Sequence, residues 1–432
     1  MTDRRATKTP LALSQRALRS TDQPISYLMA QAVTNPHVIS LAAGFVDYET
    51  LPGEALAEAV ARVLADPRGA RISLQYGTTE GLKALRKRLL DHMAELDGAT
   101  PEALGATIDD LIVATGSQEL LFLITGVLVD PGDIVITSWP SYFVYTGTLQ
   151  AAGARVRCVD MDDDGMIPEA LERTLADIEA AGELGRVKIV YIVSYHQNPT
   201  GITLSAERRP RVLDVVRKYS RDHRILLLED AAYRELTFEG DAPPSIKRFD
   251  DGNEFVATVQ TFSKPFAPGL KTGYGLLPRD LVGPVLDQKG NIDFGSANIC
   301  QHLLLEALES GAYERHVEKL RQAYAAKCGA MLDALASELG GRRGGEVRWT
   351  RPRGGLYVWL TLPEHIDTAG GGEFFRRCIA EGVMYVPGEY SYPRDETRER
   401  PTSTMRLSFG VASVEQIRQG VARLARGVRA FE

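Results

Sequence analysis

The sequence predicts an α/β protein: a mostly parallel central sheet in a large domain, joined to a smaller α+β domain. Three observations carry this. From about residue 108, short apolar runs alternate with stretches of helical length, LIVATG, DIVITS, KIVYIV, RILLLED and FVATVQTF in turn, which is the pattern of strands buried on both faces beneath crossover helices. Four runs end directly in polar clusters, TGSQ, SYHQNPTG, EDAAY and TFSK, and ligands in such sheets bind outside the carboxyl ends of strands. After about residue 310 the apolar spacing becomes helical.

Taken in order, the first forty residues carry Arg4, Arg5, Lys8, Arg16 and Arg19 without an apolar segment of signal-peptide length. They read as an arm that also contributes to the small domain. Residues 41–305 read as the large domain. Within it the apolar stretch LLFLITGVLV, Leu120 to Val129, falls far short of the ~20 residues of a membrane span and reads as a buried helix. Residues 306–432 read as the small domain. Tyr313, Val317, Leu320, Tyr324, Cys328, Met331, Leu335 and Leu339 recur at spacings of three and four, predicting a long amphipathic helix that stops at the GGRRGG turn, 340–345. GLYVWLTL and MRLSFG read as strands, with a helix around Phe374 to Ala380 and a polar loop near Tyr390 to Thr404 between them. The glycine-rich TAGGGEFF at 368–375 lacks the preceding strand of a phosphate fingerprint and reads as a turn into a helix.

Composition narrows the function. At 432 residues the chain exceeds one ordinary core, so two domains are expected. Its 44% apolar and 25% charged residues are those of a soluble globular protein. A net charge of −7 gives no general attraction to nucleic acid or anionic membranes, so neither is expected as a partner. The four cysteines lack CxxC spacing and the seven histidines form no HxxxH pair, so no disulfide framework and no metal is expected. A reducing cytoplasm fits this usage.

Lys264 lies between Ser263 and Pro265 in TFSKPFAPGL, neither on a charged face nor in a regular helix. Alone it reads as a lysine reaching from a loop to solvent. It stands, however, in one chain with an aspartate after a buried strand (Asp230), an asparagine before proline (Asn198) and a hydroxyl-rich strand-to-helix turn (Ser117, Gln118). Pyridoxal phosphate requires such a set: a lysine for its Schiff base, an acid for its pyridine nitrogen, donors for its phenolic oxygen and a cup for its phosphate.

The motifs SLAAG (40–44), YGTTEGLKALR (76–86), TGSQEL (115–120), WPSY (139–142), HQNPTG (196–201), EDAAYREL (229–236), TFSKPFAPGLKTGYG (261–275), PRGGLYVWL (352–360) and MRLSFG (405–410) follow one another in a fixed order. From about Ile39 to Gly410 the chain resembles the fold type I pyridoxal-phosphate aminotransferases of class I/II, in the branch of the α-aminoadipate, kynurenine and aromatic aminotransferases. The resemblance implies that Lys264 is the Schiff-base lysine and proton carrier. It implies that Asp230 pairs with the pyridinium nitrogen, and that Tyr233 and Asn198 reach the phenolic oxygen. Tyr142 is similar to the aromatic that stacks on the ring. Ser117, Gln118, Thr261 and Ser263 match the phosphate cup, where Lys271 stands in place of the usual arginine and supplies charge without the bidentate fork. Arg406 matches the clamp on the substrate α-carboxylate, with Asn198 and Gly44 beside it. Tyr76 matches a tyrosine that reaches the phosphate of the neighbouring subunit's cofactor.

The activity so implied is transfer of an amino group between an L-amino acid and a 2-oxo acid, in a ping-pong cycle through pyridoxamine phosphate. The partners implied are those substrates and a second copy of the chain. A β-lyase, decarboxylase or amino-acid oxidase on the same scaffold shares these contacts. A ligand-sensing regulator of this fold carries a helix-turn-helix domain ahead of it, for which the forty or so residues before SLAAG leave little room.

Overall fold

The computed structural model describes residues 11–20, 34–35, 37–341 and 347–431. Much of the expected N-terminal arm and most of the GGRRGG turn lie outside these residues. The first strand, β1 (Ile39–Ser40), pairs in parallel with β12 (Val383–Met384). The central sheet has eight strands: β2 (Leu111–Ala114), β3 (Ile134–Trp139), β4 (Arg155–Asp162), β5 (Gly165–Met166), β6 (Val187–Val193), β7 (Leu226–Asp230), β8 (Val256–Thr261) and β9 (Gly273–Leu276). Their order is β2-β9-β8-β7-β6-β3-β4-β5. The pairs from β4 through β3, β6 and β7 to β8 are parallel. β9 runs antiparallel to both its neighbours, and β5 antiparallel to β4.

The five apolar runs are all strands of this sheet, which a period of two then divides between its faces. Ile134, Ile136, Val190 and Leu227 pack in one cluster, whereas Val135, Ile189, Tyr191, Leu226 and Leu228 pack in another that continues into the C-terminal part of the chain. The sequence reading lacked β4, β5 and β9. RVRCVDMD of β4 lies toward the sheet edge and buries only Cys158 and Val159, so its charges hide the strand. GYGL of β9 reads as a turn because of its glycines. Gly273 is required by close approach instead: a Cβ there would stand 2.6 Å from the Ser117 nitrogen and 2.7 Å from the Gln260 oxygen.

The C-terminal sheet, in the order β10 (Arg348–Trp349), β11 (Tyr357–Thr361), β14 (Thr404–Ser408) and β13 (Val386–Pro387), is antiparallel. Helix Ala312–Leu339 packs on helix Val414–Arg429, whose start is fixed by a Ser413–Gln416 capping box. The helix expected near Phe374 runs Glu373–Glu381 with Gly372 as its N-cap, so the glycine-rich stretch is a turn into a helix. No helix among the described residues is long and apolar enough to cross a membrane.

The polar segment after Tyr390 is a strap between the two sheets. Ser391 accepts a hydrogen bond from the Ser141 nitrogen at 2.8 Å. Asp395 accepts from the Cys158 nitrogen of β4 at 2.7 Å, and Arg398 pairs with Asp160 at 2.5 Å. It covers strand edge groups that would otherwise be open to another chain.

Candidate active site

The carboxyl ends of the central strands converge on a pocket of about 180 Å³. Ser117 and Gln118 follow β2, Tyr142 follows β3, Asn198 follows β6, Asp230 ends β7 with Tyr233 just beyond, and Thr261 ends β8 ahead of Ser263 and Lys264. Lys271 precedes β9. All ten line the pocket.

Asp230 is buried and accepts from the Tyr191 hydroxyl at 2.9 Å and the Ala232 nitrogen at 3.1 Å. Burial outweighs both donors and pushes its carboxyl up to about 6. Its carboxylate closes a turn onto Ala232, and a short 3-10 helix, Arg234–Leu236, follows. Lys264 donates from Nζ to the Gly44 carbonyl at 2.8 Å, and the ammonium lies 6.0 Å from the Tyr233 ring centre. The lysine loop is braced from below. Phe262 and Phe266 pack on the Tyr313 ring, which also meets His92 edge-on, and His92 is hydrogen-bonded to buried Glu235 at 3.1 Å. Glu235 lies two residues past Tyr233, so this cluster supports both the Asp230 turn and the Lys264 loop.

The other end of the pocket has the makings of an anion cup. Helix Ser117–Leu128 begins there, and the first N–H groups of a helix have no partners within it. Thr261 donates to Ser263 at 3.0 Å. Lys271 holds a left-handed conformation, φ 48° and ψ 37°, at the end of the 3-10 turn Pro268–Leu270. Such a backbone costs a non-glycine residue of order 1–3 kcal/mol, and here it keeps the ammonium stem on the pocket wall.

Arg406 comes from β14, in register with Trp359 and Val386. It is buried, donates to Asn198 Oδ1 at 2.9 Å and to the Ala42 carbonyl at 2.8 Å, and its Nε has no partner among the described residues. The Tyr357 ring stacks 4.3 Å from its guanidinium carbon, and the Tyr357 hydroxyl is 3.3 Å from that of Tyr233. A Cβ on Gly44 would sit 3.0 Å from the same hydroxyl. Arg406, Asn198, Gly44 and Lys264 are thus tied together through one set of contacts. Tyr76 does not join them within its own chain: it is 81% exposed and, among the described residues, meets the Phe294 ring edge-on.

Three residues of this region escaped the sequence reading: Tyr191, Tyr357 and Thr115. The first two sit inside apolar runs, where a buried tyrosine hydroxyl needs a partner; that requirement was the available signal. Thr115 lines the pocket directly ahead of Gly116 and was passed over for its neighbours.

Residues 36–424 match the family described as aminotransferase class I and II. Aromatic-amino-acid aminotransferase 1 of Thermococcus litoralis is 33% identical over 96% of this chain and 94% of its own length. The 2-aminoadipate transaminase of Thermus thermophilus is 32% identical over 91% of each. A crystal structure of the kynurenine aminotransferase of Pyrococcus horikoshii, in complex with PMP, superposes with a TM-score of 0.86 at 30% identity, covering 97% of both chains. Matches at 24–29% identity include helix-turn-helix transcriptional regulators. Fold, pocket and family match agree, and the chain belongs to the class I and II aminotransferases, a pyridoxal-phosphate-dependent family.

Proposed function

We propose that this protein is a pyridoxal-phosphate-dependent aminotransferase that moves an amino group between an L-amino acid and a 2-oxo acid in a ping-pong cycle. The observation that carries the reading is Asp230, a buried carboxyl with no cation among the described residues beside it, in the same pocket as Lys264. The pocket fits on two further counts. Gly273 leaves the start of helix Ser117–Leu128, with its free N–H groups, clear of side-chain crowding where a phosphate would approach, and the Arg406 Nε–H, buried with no partner among the described residues, is a donor open to a substrate carboxylate. Orphaned buried polar atoms of this kind cost ~1–3 kcal/mol each unless something binds them.

When bound, pyridoxal phosphate supplies an electron-withdrawing ring that accepts the electron pair released at the substrate α-carbon. The chain's own groups do the rest. Asp230 holds a positive charge at the pyridine nitrogen, and Tyr191 and the Ala232 nitrogen hold Asp230 in place. Tyr233 and Asn198 supply donors at the phenolic oxygen, with Tyr142 against the ring. Ser117, Gln118, Thr261, Ser263 and Lys271 bind the phosphate. Lys264 Nζ, released from the Gly44 carbonyl, takes the α-proton as a base, a role typically worth ~10²–10⁴-fold. Arg406 grips the substrate carboxylate, and the protein works as a homodimer in the cytoplasm. Residues 41–305 form the cofactor-binding domain, and 306–432 with part of the first forty form the small one, which the β1–β12 pairing supports.

Borohydride reduction of the cofactor-loaded protein followed by peptide mapping tests this reading. The pyridoxyl label is expected on Lys264, and a label on another lysine ends it. Arg406→Lys is expected to raise KM strongly with a smaller change in kcat, since it removes a charge-assisted hydrogen bond worth ~1.5–3 kcal/mol. An unchanged KM for every amino acid tried would take Arg406 out of the substrate site.

A further inference from the structure

Behind the anion cup lies a charged cluster that the proposed reaction does not use. Lys289, on helix Arg279–Ile292, is fully buried. Its Nζ donates to Asp293 Oδ2 at 2.5 Å and to the Ser296 hydroxyl at 3.1 Å, and lies 3.6 Å from Glu119 Oε2. Glu119 in turn accepts from the Thr115 nitrogen at 2.5 Å. The Thr115 hydroxyl, with one proton to give, lies 3.1 Å from the Ser296 hydroxyl and 3.4 Å from Asp293 Oδ2. One ammonium therefore holds Thr115, at the rim of the cup, from two sides.

The same ammonium holds a turn that faces the other way. Asp293 to Asn298 is the seat of the segment that carries Tyr76. Thr79 donates to the Phe294 carbonyl at 3.0 Å, Asn298 donates to the Ile72 and Gln75 carbonyls at 2.9 and 3.1 Å, and a Cβ on Gly295 would stand 2.7 Å from the Thr78 oxygen. Phe294 itself is held at φ 60°, a conformation that persists only where its surroundings impose it. Tyr76 rests against the Phe294 ring.

We propose that Lys289 is a positioning residue for two sites at once: through Glu119 and Thr115 it sets the phosphate cup of its own chain, and through Asp293 and Ser296 it sets Tyr76 for the neighbouring chain's cup. The inference rests on the proposed homodimer and on the shared site that the family resemblance implies, in which Tyr76 reaches the neighbouring subunit's cofactor phosphate. Cofactor retention in one subunit then depends on a buried ammonium in the other, which none of the direct cofactor contacts requires.

The test follows release of pyridoxal phosphate by absorbance in mixed dimers. A chain carrying Lys264→Ala, whose own site cannot hold the cofactor covalently, is paired with a wild-type chain, and only the wild-type chain's covalently held cofactor is read. Adding Lys289→Met to the Lys264→Ala chain is expected to speed release from the wild-type chain about tenfold, the equivalent of one charged hydrogen bond. Lys289→Met leaves two acids without their cation. If it does not fold, Lys289→Met with Asp293→Asn replaces it, and the same expectation holds. Tyr76→Asp on the same chain is the control. If Tyr76→Asp speeds release and Lys289→Met does not, the inference falls and the shared site stands; a lower melting temperature with unchanged release assigns Lys289 a structural role only. If neither speeds release, the shared-site reading falls and the inference with it.

Discussion

Asp230→Asn is expected to lower kcat roughly 10²–10³-fold, the usual cost of losing one preorganised electrostatic contact, with the far-UV spectrum unchanged. Asparagine keeps the shape of the side chain and one acceptor for Tyr191 or the Ala232 nitrogen, so the turn at the end of β7 survives. It cannot offset a positive charge. The pH dependence gives a second readout. Burial raises the Asp230 carboxyl from its ordinary 3.8 to about 6, so between those values the folded, ligand-free chain holds a proton that the unfolded chain has lost. That group's contribution to stability is full at low pH and is lost as pH rises through about 6. A cation bound against the carboxylate reverses the preference. Cofactor affinity of the wild type should therefore climb as pH rises through about 6, and that step should be missing in Asp230→Asn. Titration with pyridoxal phosphate between about pH 5 and pH 8 measures both. Near-normal kcat with an unaltered affinity profile would remove Asp230 from the site.

Much of the candidate site was legible because its residues sit where regular structure stops. A buried strand must end in groups that satisfy its last peptides, so the polar clusters after LIVA, KIVYIV, RILLL and FVATVQ mark the carboxyl ends of β2, β6, β7 and β8 in the sequence itself. What stayed hidden had a common physical character. Tyr191 and Tyr357 lie inside runs whose apolar pattern is complete without them, so their hydroxyls left no mark on periodicity. β9 begins on Gly273 because the Ser117 and Gln260 backbones press on it, a tertiary demand that reads locally as a turn. Lys289 looks like one more lysine on an amphipathic helix. Its burial follows from Glu119 and Asp293, of which only Asp293 stands at helical spacing.

Lys264→Ala and Tyr76→Asp are each expected to be nearly inactive as homodimers, and to recover activity when mixed. Lys264 carries the proposed proton transfer, so its loss removes the ~10²–10⁴-fold that a positioned base supplies. Tyr76 lies outside the pocket of its own chain and is 81% exposed, and Phe294 beside it is 61% exposed. Two large rings left in water on one face are what a two-fold partner would cover. If Tyr76 completes the neighbouring cup, a mixed dimer contains one site with both lesions and one with none. Random reassociation at equal amounts makes about half the dimers mixed, each with one working site, so activity should return to about a quarter of wild type. A Tyr76 that acted within its own chain would leave every mixed dimer with two damaged sites. Subunit exchange is established separately by mass, using a tagged chain. No recovery once exchange is complete would refute the shared site, whereas recovery well above background requires that Lys264 and Tyr76 of a working site come from different chains.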